Sequence, residues 1–322
     1  MNRTNIEWAD ATWNPCHGCT PVSPGCAHCY ARTVAETRLR GVGTYPKDDP
    51  FRVVIDPYKL GDPLHWRKPS RIFPVSMGDW LHEEVPLRYA MAMLGVAGRC
   101  ERHRFMFLTK REDRLDELGA ALAGNPVEAA TECFRAALDY LPSGVDQDDI
   151  YEARTDLAVY GPASRFTFPF SNVGQGATAE DQSNADRRVQ VVLRFPAAVR
   201  FVSVEPMLSG VDMTGHLPGD PGAFCESREC AGCREGDDPC DDFKESSRLD
   251  WVVCGGESGP GARPMNPQWA RDLRDQCKAA GVPFFYKQGP GDHGAKHVKI
   301  PVLDGATYNQ YPRALGLALE GD

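Results

Sequence analysis

Short apolar runs of β-type composition alternate with amphipathic helical patterns along most of this chain of 322 residues. Several runs are nearly continuous in apolar residues, which is typical of strands buried on both faces of a parallel sheet. Strands of that kind, when separated by helices, build β/α architectures. We therefore predict an α/β fold, formed as a complete or partial (β/α) barrel. The predicted strands are 71–79, 104–110, 166–173, 199–206, 249–257 and 282–288, and the predicted helices are 86–97, 111–123, 181–194 and 267–280.

Polar residues and glycines gather where these predicted strands end. In β/α barrels the carboxyl ends of the strands form the rim at which active sites lie. We expect the residues there to surround a cofactor, although strand ends are also polar simply because strands emerge into water. Gly255 and Gly256 permit a ligand to approach the backbone, or alternatively form a tight turn after their strand. The cofactor-binding candidates are Ser76, Asp79, Lys110, Glu205, Gly255, Gly256, Glu257 and Lys287.

Four of the twelve cysteines lie within the first thirty residues, at Cys16, Cys19, Cys26 and Cys29. Thiols this dense, interleaved with glycine and proline, favour a metal or iron–sulfur site. As a zinc site, the four cysteines would supply the tetrahedral ligands, although the six-residue spacer between the two pairs is short. As an iron–sulfur site, three cysteines would hold three irons of a cubane and leave the fourth iron open. The spacing alone does not decide which cysteine is spare.

The chain resembles the phage-associated three-Cys-motif family, a radical-SAM-like group. The resemblance is carried by 13–30, with its Cys19-x6-Cys26-x2-Cys29 spacing, and by 77–83, 108–111, 201–207, 255–259 and 284–288. It implies that Cys19, Cys26 and Cys29 ligate a [4Fe-4S] cluster whose open iron takes S-adenosylmethionine, with Cys16 outside the ligand set. It further implies a barrel of the radical-SAM type, a 5'-deoxyadenosyl radical as the reactive species, and an electron-donor protein as a partner.

Two segments interrupt the alternation within what we predict to be a single domain over 1–322. The first insertion, 126–165, contains one predicted helix at 127–140, and the second, 218–248, is acidic and rich in cysteine. The second segment needs a staple to be ordered, for which a zinc clip is our first hypothesis. Disorder, free thiols or an auxiliary cluster are the alternatives. The cysteines concerned are Cys225, Cys230, Cys233 and Cys240, whereas Cys100, Cys133, Cys254 and Cys277 are predicted to be buried thiols.

The formal net charge of −9 argues against a grip on nucleic acid by the whole surface. Much of the excess negative charge lies in 218–248, and basic clusters at 65–71, 99–104 and 110–114 are candidates for phosphate contacts or for solvated surface. A nucleic acid or nucleotide is therefore a candidate substrate. No apolar run approaches the ~20 residues of a membrane span and no signal peptide is evident, so we expect a cytoplasmic protein without a membrane partner.

These observations give two hypotheses for the function. The first is a radical-SAM-like iron–sulfur enzyme, for which the class of reaction (lyase, transferase or mutase) stays open. The second is a non-catalytic, zinc-stabilised protein that binds nucleic acid or acts as an adaptor.

Overall fold

The computed structural model describes residues 2–143, 147–218, 248–258, 261–289 and 300–316. Seven parallel strands form a curled half-barrel sheet with helices packed around it, and one short antiparallel strand extends its first edge. The strands in chain order are β1 (Asn2–Arg3), β2 (Ala11–Trp13), β3 (Cys16–His17), β4 (Val54–Ile55), β5 (Arg71–Pro74), β6 (Arg104–Thr109), β7 (Val173–Thr178), β8 (Val199–Val204), β9 (Trp251–Gly255), β10 (Phe284–Gln288), β11 (Val302–Leu303) and β12 (Ala306–Thr307).

The α-helices flank these strands. In chain order they are α1 (Tyr30–Val34), α2 (Leu87–Arg99), α3 (Glu112–Ala121), α4 (Pro126–Tyr140), α5 (Gln147–Tyr160), α6 (Gln182–Arg194) and α7 (Pro267–Ala280). None of the helices in the described ranges is long and apolar enough to cross a membrane.

The main sheet has the strand order β1-β2-β5-β6-β7-β8-β9-β10. Neighbours in the sheet therefore follow the order of the chain, as they do when each crossover winds in the same direction around a barrel. Within the described residues no pairing joins β10 back to β1, so the sheet stays open. The predicted α/β class is confirmed, and of the two alternatives the structure has the partial barrel.

Alternating residues of each strand fill two different layers of the core. On β9, Trp251 and Val253 belong to an aromatic-rich cluster inside the curled sheet, whereas Val252 and Cys254 pack in the layer between sheet and helices. This period of two is the pleat of a strand that is buried on both faces. Trp8 and Phe201 belong to the same inner cluster. The half-barrel is therefore packed with large rings below its carboxyl rim.

The segment predicted as the first insertion folds as a helical hairpin against α2. A Cβ atom on Gly95 of α2 would lie 2.4 Å from the carbonyl oxygen of Cys133 on α4, so only glycine permits this close helix contact. Cys133 and Phe134 are fully buried in the main core. The predicted helix is confirmed as α4, while α5 was not predicted. The limits of the domain and of its insertions stay predictions.

The strand predicted at 166–173 is wrong. Three phenylalanines of that segment, Phe166, Phe168 and Phe170, pack as a cluster of rings around α4, and the strand of the sheet begins only at Val173. Glycine is essential in that strand, because a Cβ atom on Gly176 would lie 2.6 Å from the ring of Phe201. The glycine-rich composition of β7 therefore concealed a central strand. Most of the second predicted insertion lies outside the described residues, as do Cys225, Cys230, Cys233 and Cys240.

Candidate functional site

A cavity of about 230 Å³ opens at the carboxyl ends of the parallel strands. Residues that were predicted from separate parts of the sequence meet around it, while Gly255 lies directly behind its wall. The predicted residues that line it are Cys19, Cys26, Cys29, Ser76, Asp79, Lys110, Glu205, Gly256, Glu257 and Lys287. The sequence therefore located the cavity, and the role of these residues as cofactor ligands stays a prediction.

The segment 16–29, which carries the first four cysteines and is called the cysteine loop below, is held against the segment after β5 by a contact between Gly18 and Gly78. Gly18 has a φ of +85°, and its N–H donates to the carbonyl of Met77 at 2.9 Å. A Cβ atom on Gly18 would lie 2.0 Å from the carbonyl oxygen of Arg52, and one on Gly78 would lie 2.7 Å from that of Gly18. No side chain fits at Gly18, so the backbone itself determines where the cysteines enter the cavity.

The far end of the loop is fastened to the same strand end. The hydroxyl of Tyr30, directly after Cys29, donates to the carbonyl of Ser76. Ser76 in turn donates through its own hydroxyl to Asn14 Oδ1 at 3.2 Å, and the N–H of Met77 donates to the same oxygen. Ser76 therefore links the cysteine loop to β5 in addition to lining the cavity.

Asp79 is a brace between β5 and β6. Its carboxylate accepts the hydroxyl of Thr109 at 2.7 Å, the N–H of Lys110 at 3.0 Å and the N–H of Leu81 at 3.0 Å. Three protein donors already hydrogen-bond to this buried carboxylate. In this structure Asp79 therefore joins the segment after β5 to the end of β6.

Two consecutive cations at the end of β6 lie beside two different thiols. Arg111 Nη2 donates to Cys19 Sγ at 3.6 Å, and the ammonium of Lys110 acts electrostatically on Cys26. Burial and the nearby Asp79 raise the pKa of Cys19 to about 11, against the opposing influence of Arg111. Burial also acts to raise the pKa of Cys26, but Lys110 and hydrogen bonds around Ser23 outweigh it and hold that pKa below its ordinary value. Each of these two thiols therefore has a cation beside it, but only at Cys26 does the cation outweigh burial.

Glu180 was not predicted as a site residue, but its fully buried carboxylate is the partner of Lys110 and of the cysteine loop. It accepts from Lys110 Nζ, from the hydroxyl of Ser23 at 2.6 Å and from Arg188 Nη1 at 2.9 Å. Burial alone would raise the pKa of Glu180, but these cations and the hydroxyl keep it below its ordinary value. Because Ser23 lies between Cys19 and Cys26, Glu180 fixes the middle of the cysteine loop to the end of β7.

A second set of charged groups lies on the opposite side of the cavity. Lys287 Nζ donates to Glu205 Oε1 at 2.5 Å, and Gln288 Nε2 donates to the same oxygen at 3.0 Å. Glu257 accepts from Arg263 through both carboxylate oxygens, at 2.6 and 2.9 Å. The first set joins the ends of β8 and β10, the second pair lies within the connection after β9, and in both the charges compensate one another.

The paired glycines after β9 have a packing role in addition to any ligand role. A Cβ atom on Gly256 would lie 2.7 Å from the carbonyl oxygen of Gly289, and one on Gly255 would lie 3.0 Å from Cγ of Gln288. The β9 and β10 ends thus approach too closely for larger residues. Gly256 lines the cavity, whereas Gly255 lies behind the carboxylate of Glu205.

The floor of the cavity is apolar. It is formed by Ile6, Trp8, Phe73 and Leu108, and the hydroxyl residues Thr178 and Ser203 lie among the lining residues. The cavity therefore combines an apolar floor with polar contacts at its rim, as small-molecule sites commonly do.

Cys16 has 1% of its surface exposed and belongs to the same buried core cluster as Trp13 and Tyr89. Among the residues that the structure describes, no group of three or more His, Cys, Asp or Glu side chains is arranged to hold a single metal ion. The first four cysteines are therefore not gathered as a tetrahedral zinc site. The buried-thiol prediction is confirmed, because Cys100, Cys133, Cys254 and Cys277 are all fully buried.

A family described as "Protein of unknown function (DUF5131)" matches residues 3–312. The chain belongs to this family. The match includes the cysteine loop and every strand from β2 to β10, so the whole cavity lies within the part shared with the family. No curated protein and no solved structure matches the chain significantly.

Two of the charged residues that organise this site escaped sequence analysis. Glu180 follows β7, whose glycine-rich sequence did not indicate a strand, so its place at a strand end was not recognised. Arg188 lies on α6 and reaches Glu180 from the helix layer, with only 2% of its side chain exposed. An arginine at this position, eight residues after a glutamate, carries no local signal of an ion pair. The packing of α6 back against β7 is what brings the two together.

Proposed function

We propose that this protein is a radical-SAM-like iron–sulfur enzyme in which Cys19, Cys26 and Cys29 hold a [4Fe-4S] cluster. The observation that carries the proposal is that these three cysteines share one cavity at the carboxyl ends of the parallel strands. A four-iron cluster with three protein ligands keeps one iron open, and that iron would bind S-adenosylmethionine. When reduced, such a cluster supplies the electron that cleaves S-adenosylmethionine to a 5'-deoxyadenosyl radical.

The donor set is chemically suited to such a cluster. Three thiols are available at the cavity, while the fourth, Cys16, is withdrawn into the core. Iron requires thiolates, and Lys110 acts to lower the pKa of Cys26 and Arg111 that of Cys19, although burial and Asp79 outweigh Arg111. The glycine contact at Gly18 keeps the loop in register with the rim without depending on the cluster.

The remaining residues of the cavity are suited to hold a zwitterionic amino acid group and to keep water out. Lys110 and Lys287 would donate to a carboxylate, and Glu205 and Glu257 would accept from an ammonium group, each by sharing or exchanging its present ion-pair partner. The backbone of Gly256 lines the cavity at the end of β9 and could contact a ligand there. The apolar floor protects a reactive carbon radical from solvent.

A nucleic acid or nucleotide substrate belongs to the proposal, but the structure reduces the support from the basic clusters. Arg71 pairs with Asp10, and Arg99 pairs with Asp149. Most cations in these clusters thus have internal partners. Arg104 forms no ion pair among the described residues but donates to the carbonyls of Glu101 and His103. Arg67, Lys68 and Arg102, which form no ion pair in the described ranges, are therefore the cations left for contacts with phosphate.

Anaerobic reconstitution with iron and sulfide tests the proposal. We expect a brown protein with ~4 iron per chain that forms 5'-deoxyadenosine from S-adenosylmethionine after reduction. Replacing Cys19, Cys26 or Cys29 singly by alanine should abolish both properties. The matched control is Cys16→Ala in the same segment, which should retain the iron because Cys16 lies in the core. A colourless protein with stoichiometric zinc would instead support a non-catalytic nucleic-acid-binding or adaptor protein.

A further inference from the structure

Arg111 is a buried cation that contacts the cysteine loop directly. Only 3% of its side chain is exposed. Its Nη2 donates to Cys19 Sγ at 3.6 Å, to the carbonyl of Thr20 at 3.1 Å and to the hydroxyl of Thr20 at 3.2 Å. One nitrogen of the guanidinium therefore holds both the sulfur and the backbone of the residue that follows it.

The other side of the same guanidinium faces acidic groups. Arg111 Nη1 contacts both carboxylate oxygens of Glu83, at 2.6 Å for Oε2, and the side chain of Glu83 is 60% exposed. Nε lies 3.9 Å from Asp79 Oδ2 and is buried without a hydrogen-bond partner among the described residues. Arg111 thus connects a solvent-facing carboxylate to a thiol inside the cavity.

Hydrogen bonds to cysteine sulfurs, local charge and solvent exposure set the reduction potential of an iron–sulfur cluster. Reduction adds one negative charge to the cluster, so a nearby fixed cation stabilises the reduced form more than the oxidised form. The effect is larger where water is excluded, because the effective dielectric constant is lower there. A carboxylate paired with the same guanidinium destabilises the reduced form and therefore lowers the reduction potential.

We propose that Arg111 is a positioning residue that raises the reduction potential of the cluster through its hydrogen bond to Cys19, and that Glu83 partly cancels this effect. The inference rests on the proposed function, since it requires that Cys19 be a ligand of the cluster. It assigns to Arg111 a role beyond its contacts with Thr20 and Glu83.

Potentiometry followed by electron paramagnetic resonance (EPR), with dithionite as the electron source, measures this directly. The Arg111→Gln variant should have a more negative midpoint potential than the wild-type protein, whereas Glu83→Gln should have a less negative one. The matched control is Arg114→Gln, which removes the same charge from the neighbouring helix. Arg114 donates to the carbonyl of Val85 at 2.8 Å and to Glu117 at 2.7 Å, so its loss should leave the potential unchanged.

Shifts of opposite sign in the two variants would support the inference, because a merely structural role would not produce them. A loaded Arg111→Gln protein with the wild-type potential would overturn it. If Arg111→Gln does not retain iron, Glu83→Gln decides, and a wild-type potential in that variant would overturn the inference. Failure of the wild-type protein itself to bind iron would overturn the proposed function, which distinguishes the two failures.

Discussion

At the scale of single residues, Glu180 is the group on which the cysteine side of the cavity depends. Its fully buried carboxylate holds Lys110, Arg188 and the hydroxyl of Ser23 at one point. A buried carboxylate with several charge-assisted donors is satisfied, but removal of its charge leaves the cations without compensation. Ser23 belongs to the cysteine loop, so the same loss would loosen the loop.

We expect Glu180→Gln to lower the free energy of unfolding by about 3 kcal/mol, because breaking a buried ion pair leaves unpaired charge in the interior. Urea denaturation of the metal-free protein measures this. Glu117→Gln is the control, since Glu117 is 56% exposed and its pair with Arg114 should contribute less than about 1 kcal/mol. Equal losses in the two variants would show that Glu180 is not the organising group.

His103 should make the stability of the fold depend on pH. It is fully buried, its Nε2 lies 3.0 Å from the carbonyl oxygen of Trp66, and burial lowers its pKa to about 4. In the unfolded chain the same group takes up its proton near pH 6.5. The unfolded state therefore binds more protons between about pH 6.5 and 4, and stability should fall as the pH falls through that window, by at most about 3 kcal/mol.

The variant His103→Gln isolates this contribution, because an amide can donate to Trp66 and does not titrate. Chemical denaturation at a series of pH values should give a flatter dependence for the variant than for the wild-type protein. Parallel dependences in the two proteins would exclude His103 as the source.

At the scale of elements, the glycine contact between the cysteine loop and β5 determines where the loop lies. Gly18→Ala places a methyl group 2.0 Å from a backbone carbonyl oxygen at a φ of +85°, so the loop must move. Gly124→Ala is the matched control for Gly18→Ala. Gly124 also has a positive φ, of +101°, but the added methyl group has no atom within 4 Å.

We expect Gly124→Ala to cost about 1–2 kcal/mol, the conformational strain alone, and Gly18→Ala to cost clearly more and to lower the iron content after reconstitution. Urea denaturation and iron analysis measure the two effects. Similar behaviour of the two variants would mean that the contact at Gly18 does not position the loop.

Elements with complete local signals were predicted closely. Helix α7 was predicted at its observed bounds because Asn266 caps its first turn, accepting from Gln268 N at 2.9 Å, Pro267 begins it, and Gly281 ends it with a φ of +67°. Strand β7 was missed because its glycines are required only by a ring from β8, a contact between strands that lie side by side. Its identity depends on tertiary packing, which local pattern does not contain.

At the scale of the whole molecule, the open half-barrel brings distant segments to one rim. The polar residues at strand ends and the family resemblance, which selected Cys19, Cys26 and Cys29, predicted many of the residues that line the cavity. The hydrogen-bond partners of the site residues could not be predicted. Examples are Thr109, which donates to Asp79, and Arg188, which donates to Glu180. They depend on the order and curvature of the strands, which place helices and loops against the rim.

The central claim is that three cysteines hold a cluster whose open iron faces the cavity. The most direct test is the EPR spectrum of the reconstituted, reduced protein before and after addition of S-adenosylmethionine. We predict a changed cluster signal on addition, both in the wild-type protein and in Cys16→Ala. An unchanged signal from fully loaded protein would contradict the account.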